Sequence, residues 1–411
     1  MKVLIADAFP RERIADVEAL GLEVDHRPEI SAGDLPREVG DASILVVRSK
    51  QVLAEVFENA RALSLVVRAG AGTNTIDVAA ASRRGVYVAN CPGQNAVAVA
   101  ELAIGLALAL DRRIADNVSE LRQGRWDKKT FSEARGLYGR AFGVLGLGAI
   151  GRETAARARG LGMRVHAWSR SLDPARAGAL GLIREESPKA LAAAVDVLSV
   201  HLPLAPETRG IVSREVLGAL APGAIFINTA RAEVVDQAAL LDAARSGRIR
   251  VGVDVHQGEP EAGKAEFHSE LARLPNVYGT HHIGASTAQA QDAIARETVR
   301  ILEAFVTSGE VPNCVNVLEH TPARCRLVVR HQDRVGVLAN VLDRIREAGI
   351  NAQRIENTVF QEAAAACCVV ELDERPSPEL LERIRARKEE IIFADLFEQP
   401  EAGSRGRAGS P

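Results

Sequence analysis

The chain has 411 residues, with 51 lysines and arginines against 54 aspartates and glutamates and a formal net charge of −3. This balance, with no basic cluster interleaved with aromatic residues, gives no footprint for nucleic acid or an anionic membrane surface. Five cysteines (Cys91, Cys314, Cys325, Cys367, Cys368) form no C-x-x-C pair and no regular framework, so neither a disulfide scaffold nor a metal centre is expected, and reduced thiols in the cytoplasm are.

The length suits two or three domains, each with its own core. Short β-rich runs open the chain, VLIAD (3–7), ILVVRS (44–49), LVVRAG (65–70) and VYVANC (86–91), with helix-patterned segments between them. That alternation predicts a parallel sheet with helices on both faces. The strand ends carry Arg48-Ser49 and Gly70-Ala71-Gly72-Thr73-Asn74, and in open α/β sheets ligands sit at the carboxyl ends of strands. Arg48 is either a ligand contact or a solvated surface charge. The run from Asn95 to Asp111 reads as a buried helix, because Glu101 interrupts the one stretch apolar enough to suggest a membrane span. The segment 121–140 is polar and irregular. A second series of strands follows, from Phe142, then 164–168, 196–204, 224–231, 251–255 and 277–282.

The second series opens with FGVLGLGAIG. An apolar strand runs into Gly146, Gly148 and Gly151, and the helix former RETAARARGLG follows. The first glycine of such a motif permits a tight turn, the second lets backbone approach a pyrophosphate, and the third packs helix on strand. Three later strand ends then present polar residues: Arg231 in INTARAEVVD, Asp254 and Glu259 in VDVHQGEP, and His281-His282 in THHIGAST. Hydride abstraction from a secondary alcohol needs a base for the hydroxyl proton, which histidine supplies near neutral pH. A carboxylate on the other ring nitrogen fixes the tautomer, and an arginine clamps a substrate carboxylate. Taken singly, each residue has a structural reading: a strand cap, a turn surface, a packed loop.

GLGAIG, NTARAEVVD, DVHQGEP and THHIGAST, with RAGAGTNTID and NCPGQNAVAVAE before them, resemble in order and spacing the motifs of the D-isomer-specific 2-hydroxyacid dehydrogenases. The resemblance covers residues 1–316. It implies a flavodoxin-like substrate lobe (1–94 and 283–318) and a Rossmann dinucleotide lobe (95–282). It assigns Arg231 to the substrate carboxylate, Glu259 to orienting the base, and His282 to acid/base work. Substrate contacts are expected at Arg48, Ser49, Ala71, Gly72, Asn95 and Arg231, with Lys128 or Lys129 as a further cation or as surface residues. Cofactor contacts are expected at Gly146, Gly148, Ala149, Ile150, Gly151, Ser169, Arg170, His201, Pro203, Thr208, Thr229, Ala230, Arg231, Asp254, His282 and Gly284.

Beyond Pro322 the pattern changes to a βαββαβ plan over 324–398, with strands expected at Arg326–Val329, Ala363–Glu371 and Ile391–Leu396 and a low-complexity, disordered tail at 399–411. His331, Asp333, Gly336, Val337 and Leu338, with Gly349-Ile350-Asn351, resemble an ACT domain, a small ligand-sensing module. That likeness implies an L-serine effector held by His331, Asp333 and Asn351 between two modules, or a purely structural dimerisation unit. Asp333 and Val335 depart from the asparagine and proline usual in serine-inhibited members, and the aspartate would repel the effector's carboxylate.

The combination implies reversible oxidation of 3-phospho-D-glycerate to 3-phosphohydroxypyruvate, opening L-serine synthesis, by a homodimer or homotetramer. A glyoxylate/hydroxypyruvate reductase is the alternative, and a dehydrogenase-fold corepressor or sensor is the alternative of another class. A formate dehydrogenase fits less well, since that branch resembles a Gln–His pairing. The coenzyme is NAD or NADP. NAD-selective sites place an acid after the second strand, whereas RVHAW is followed by Ser169-Arg170, a pair suited to a 2′-phosphate, unless Arg170 only stacks on adenine.

Overall fold

The computed structural model describes residues 1–260, 264–318 and 320–398; the expected disordered tail, 399–411, lies outside them. Two compact units are present, Met1–Asn316 and the remainder from Val317. The first unit holds two parallel sheets. One comprises β1 (Lys2–Ile5), β2 (Glu23–His26), β3 (Ile44–Val47), β4 (Leu65–Arg68) and β5 (Tyr87–Asn90), in the order β2-β1-β3-β4-β5. The other comprises β6 (Ala141–Leu145), β7 (Arg164–Trp168), β8 (Ile183–Arg184), β9 (Val197–Val200), β10 (Ala224–Asn228), β11 (Ile249–Val253) and β12 (Val277–Gly279), in the order β12-β11-β10-β9-β6-β7-β8. These are the flavodoxin-like and Rossmann orders of doubly wound folds.

Alternation along the strands explains the layering. In the first sheet Leu4, Leu45, Val47, Val66 and Val88 feed one core, while Val3, Ile5, Val46, Val67 and Ala89 feed another. Successive side chains point to opposite faces, so a strand covered on both sides must be apolar throughout. The helix Ala288–Ser308 brings Ile294, Ile301 and Leu302 into the second of these cores. The long helix Ala96–Arg112 packs Ala103, Leu106, Ala107 and Leu110 against Phe142, Val144, Val197 and Ile227 of the Rossmann sheet. Among the described residues no helix is long and apolar enough to cross a membrane.

The second unit is an antiparallel sheet of β13 (Cys325–Gln332), β14 (Ala352–Val359), β15 (Ala365–Leu372) and β16 (Ile391–Glu398), in the order β14-β15-β13-β16. Helices Val337–Glu347 and Pro378–Arg385 supply Val337, Val341, Ile345, Leu380 and Ile384 to its core.

Several elements differ from the sequence expectation. β2, β8 and β14 were not singled out, and all three are sheet edges with little apolar content; β14 has six exposed positions in its eight. The strands expected over 196–204, 224–231 and 277–282 stop at Val200, Asn228 and Gly279, and their polar ends are loops. A helix that was not singled out, Ile114–Arg122, precedes the irregular segment and ends within its first two residues. β13 runs to Gln332 and so takes in His331, beyond the strand expected at Arg326–Val329.

Candidate functional site

The carboxyl ends of the Rossmann strands carry the candidate residues in spatial order. His282 follows β12, Asp254 and Glu259 follow β11, Arg231 follows β10, His201 follows β9, the glycine turn follows β6, and Ser169-Arg170 follows β7. Parallel neighbours about 4.8 Å apart align these loops along one edge.

Gly146 has φ 100° and donates its N–H to Trp168 O at 2.9 Å. A Cβ there would stand 2.6 Å from His201 O, and one at Gly151 would stand 2.0 Å from Gly146 O. Only glycine fits either place. Gly148, by contrast, has open space on its Cβ side and precedes the helix Ala149–Gly160, with Ala149 and Ile150 half-buried at the helix start. The helix N-terminus and the open flank of Gly148 fit a pyrophosphate. Along the edge, the buried atoms His201 Nδ1, Thr229 Oγ1 and Asn95 Oδ1 have no partner among the described residues, as expected of a groove whose polar groups await a ligand. Burial pushes the His201 imidazole down to about 3, so it is neutral, with Nε2 2.9 Å from Ser199 Oγ. Thr208 is turned inward instead: its hydroxyl donates to Pro203 O (2.6 Å) and accepts from Ala205 N (2.8 Å). It therefore shapes the 203–208 loop.

The acid/base pair is formed. His282 Nδ1 lies 2.6 Å from Glu259 Oε2, and Glu259 Oε1 accepts the His256 N–H at 2.6 Å. Burial would raise the Glu259 carboxyl, but the hydrogen bonds from His282 and the His256 amide outweigh it and hold the group below its ordinary value. His282 has φ 52°, an uncommon left-handed conformation for a residue with a side chain. Asp254, 1% exposed, explains how it is held there. Its carboxylate accepts from Thr280 Oγ1 (2.6 Å), Ile283 N (2.8 Å) and Gly284 N (2.8 Å), bracketing His282 on both sides. Asp254 thus has a positioning task besides the cofactor contact expected of it. His281 is exposed beside it.

Asn228, which sequence reasoning missed, ties the next loop. Its Oδ1 accepts from Ala230 N at 3.0 Å and its Nδ2 donates to Arg231 O at 2.9 Å. Arg231 donates to Ala230 O at 2.6 Å and reaches the first lobe, where a Cβ on Gly72 would stand 2.5 Å from its Nη2. Ala71 O in the same loop accepts from Asn90 Nδ2. The guanidinium of Arg68 lies over Gly70, in the space a Cβ would take. Burial, then repulsion from Arg231 and Arg48, pushes Arg68 down to about 10, and its Nε is buried with no partner. Arg68 was also missed, although LVVRAG displayed it at a strand end.

Asp7 is the nearby counter-charge, and it is already used. It accepts from the backbone of Arg48 (2.7 Å), Ser49 (3.1 Å) and Lys50 (3.3 Å), and from Ser49 Oγ (3.1 Å). Ser49 thereby braces the loop that carries Arg48. Lys128 and Lys129 are exposed in the linker before β6. Among the described residues no group of three or more His, Cys, Asp or Glu side chains is set to hold a metal ion.

In the C-terminal unit His331 is 2% exposed, with Nδ1 donating to Gln332 O (2.7 Å) and Nε2 3.3 Å from Asn357 Oδ1. It belongs to the core edge of the sheet, its ring held between the Gln332 carbonyl and Asn357. Asp333 and Asn351 are exposed but stand at opposite ends of the sheet. Asp333 bonds to Ala364 before β15, whereas Asn351 bonds to Asp373 after it.

Comparison with known proteins agrees with this geometry. The model of the D-isomer specific 2-hydroxyacid dehydrogenase NAD binding domain matches residues 104–284. Hydroxypyruvate reductase of Thermotoga maritima is 38% identical over 303 residues, which cover 72% of this chain and 96% of that protein. The chain belongs to the D-isomer-specific 2-hydroxyacid dehydrogenases. D-3-phosphoglycerate dehydrogenase of Mycobacterium leprae is 40% identical over 321 residues, 77% of this chain and 58% of that protein. The crystal structure of the TT0316 protein from Thermus thermophilus matches with a TM-score of 0.69 and 32% identity, covering 77% of this chain and 100% of that one. This dehydrogenase chain spans between 58% and 66% of the length of the first phosphoglycerate dehydrogenases it matches. Its second lobe is the family's NAD-binding domain, and the residues of the β6 turn fit that group.

Proposed function

We propose that the chain oxidises 3-phospho-D-glycerate reversibly to 3-phosphohydroxypyruvate, the step that opens L-serine synthesis. The observation that carries this reading is the cationic cleft. Arg231 and Arg48 both bear electrostatically on Arg68, and the nearby carboxylate, Asp7, accepts from backbone amides and pairs with Lys50 at 3.5 Å. A lone carboxylate would neutralise one of these guanidinium groups, whereas a substrate bearing carboxylate and phosphate matches the cluster.

A nicotinamide held at the β6 turn would supply the hydride acceptor for C2 of the substrate. Arg231 clamps the substrate carboxylate and orients C2. His282, with Nδ1 turned to Glu259, presents Nε2 to the C2 hydroxyl and removes its proton. The ionised Glu259 stabilises the imidazolium that results. In the reverse direction the same imidazolium returns the proton. Asp254 keeps the His282 loop fixed through these steps.

The reading of hydroxypyruvate reduction is favoured by the Thermotoga relative, which this chain covers almost end to end. Steady-state comparison of 3-phospho-D-glycerate with D-glycerate separates the two. A preference of about 10²-fold in kcat/KM for the phosphorylated acid is expected, and a preference for D-glycerate would sink the phosphate assignment.

The domain limits 1–94 with 283–318, 95–282 and 324–398 are proposed as substrate, dinucleotide and ACT domains. The βαββαβ order and its β14-β15-β13-β16 sheet support the last. We place the enzyme in the cytoplasm as a homodimer or homotetramer. L-serine is a candidate effector only between two copies, since Asp333 and Asn351 lie at opposite ends of one sheet.

A further inference from the structure

We infer that the ribose end of the cleft recognises a 2′-phosphate, so that the coenzyme selected is NADP(H) over NAD(H). The inference rests on reading the β6 turn as a dinucleotide site and is independent of which acid is oxidised.

The Gly146 N–H bond to Trp168 O locks the end of β7 against the glycine turn, so Ser169 is the first residue beyond the phosphate cradle. Leu172 N donates to Ser169 O at 3.1 Å, closing a turn that displays Arg170 and Ser171 at its tip. Arg184 Nε donates to Leu172 O at 2.7 Å and braces that turn from the adjoining strand. A ribose 2′-hydroxyl is ordinarily read here by a carboxylate, and none is free. Asp173 accepts the Arg176 N–H at 2.7 Å as the cap of the helix Pro174–Ala179. Glu185 lies 2.8 Å from His166 Nδ1, and Glu186 is paired with Arg184.

Arg170 is the reverse case. It is exposed, and neither a hydrogen bond nor an ion pair engages its guanidinium among the described residues. The Ser169 hydroxyl is likewise uncommitted. A planar fork of donors with a hydroxyl beside it, and no carboxylate to repel the ligand, is the chemistry that receives a phosphate dianion. A 2′-hydroxyl would leave that fork unused.

The test is calorimetric titration of the enzyme without substrate, using NADPH, NADH, 2′,5′-ADP and 5′-ADP. The inference expects NADPH to bind at least about tenfold more tightly than NADH, with the same order for the two fragments. Arg170→Ala should weaken NADPH by about 10- to 100-fold and leave NADH little changed. Ser169→Asp should abolish the preference for the phosphate. Equal or tighter binding of NADH by the unaltered protein would overturn the inference. So would an Arg170→Ala variant that weakens both coenzymes alike, which would mean that Arg170 stacks on adenine. If no dinucleotide binds, the cofactor site itself is wrong. A clear NADPH preference without 3-phospho-D-glycerate turnover would leave this inference standing and remove only the substrate proposal.

Discussion

The two sides of the cleft treat their polar side chains in opposite ways. Beyond β10 to β12 nearly every group is tied. Glu259 holds both His282 and the His256 amide, Asp254 takes three donors from the 280–284 loop, and Asn228 bridges Ala230 and Arg231. On the anion-facing sides the cations are left short of partners: among the described residues the buried Arg68 Nε has none, and none engages the exposed Arg170. Proton transfer needs a base fixed within a fraction of an ångström, so its partners are built in. An anion brings its own acceptors, so the groups that receive it must be uncommitted beforehand. The same contrast separates kcat from KM, and it can be broken on either side.

The largest effect is expected on the tied side. His282→Ala should lower kcat by about 10²-fold or more while coenzyme binding is retained. Near wild-type turnover would remove His282 from the chemistry. A loss of both coenzyme affinity and thermal stability would show that the left-handed 280–284 loop, rather than the imidazole, was the essential element.

How far these features were legible in the sequence follows from the same physics. The glycine turn, Arg231, Glu259 and His282 announce themselves because a strand, a small-residue turn and a polar residue recur in a fixed order. Buried parallel strands are just as readable, being apolar on both faces. Edge strands such as β2, β8 and β14 are half-solvated and carry little pattern. Residues whose task is to hold others are also silent: Asn228 and Asp7 look like ordinary turn residues until their backbone partners are known. Arg68 was in view but undistinguished, because only folding sets it over Gly70 and beside Arg231. His331 reads in sequence as one more polar residue, and only the register of β13 shows that its ring faces inward.

On the open side, Arg68→Gln should act mainly on substrate capture. It removes one unneutralised charge and keeps much of the side-chain volume, so KM for 3-phospho-D-glycerate should rise about tenfold, with kcat nearly unchanged. D-glycerate kinetics should move far less. If both acids lose equally, Arg68 serves the Gly70–Gly72 loop rather than the phosphate, and the contrast between tied and open sides fails there.

The smallest effect concerns His201, which sits between the two sides. Its folded value, about 3, lies below the 6.5 of an unburied imidazole. The unfolded chain therefore takes up the proton first. The stability that depends on a neutral His201 is complete above pH 6.5 and is lost progressively as pH falls towards 3. At pH 5 the loss is roughly 2 kcal/mol. Urea unfolding of the apoprotein at pH 7 and pH 5 should show this difference beside His201→Gln, which cannot titrate, because the carboxylates contribute equally to both proteins. Identical slopes would mean that water reaches the ring in the apoprotein and that desolvation does not hold it neutral. That outcome would place His201 on the open side of the cleft.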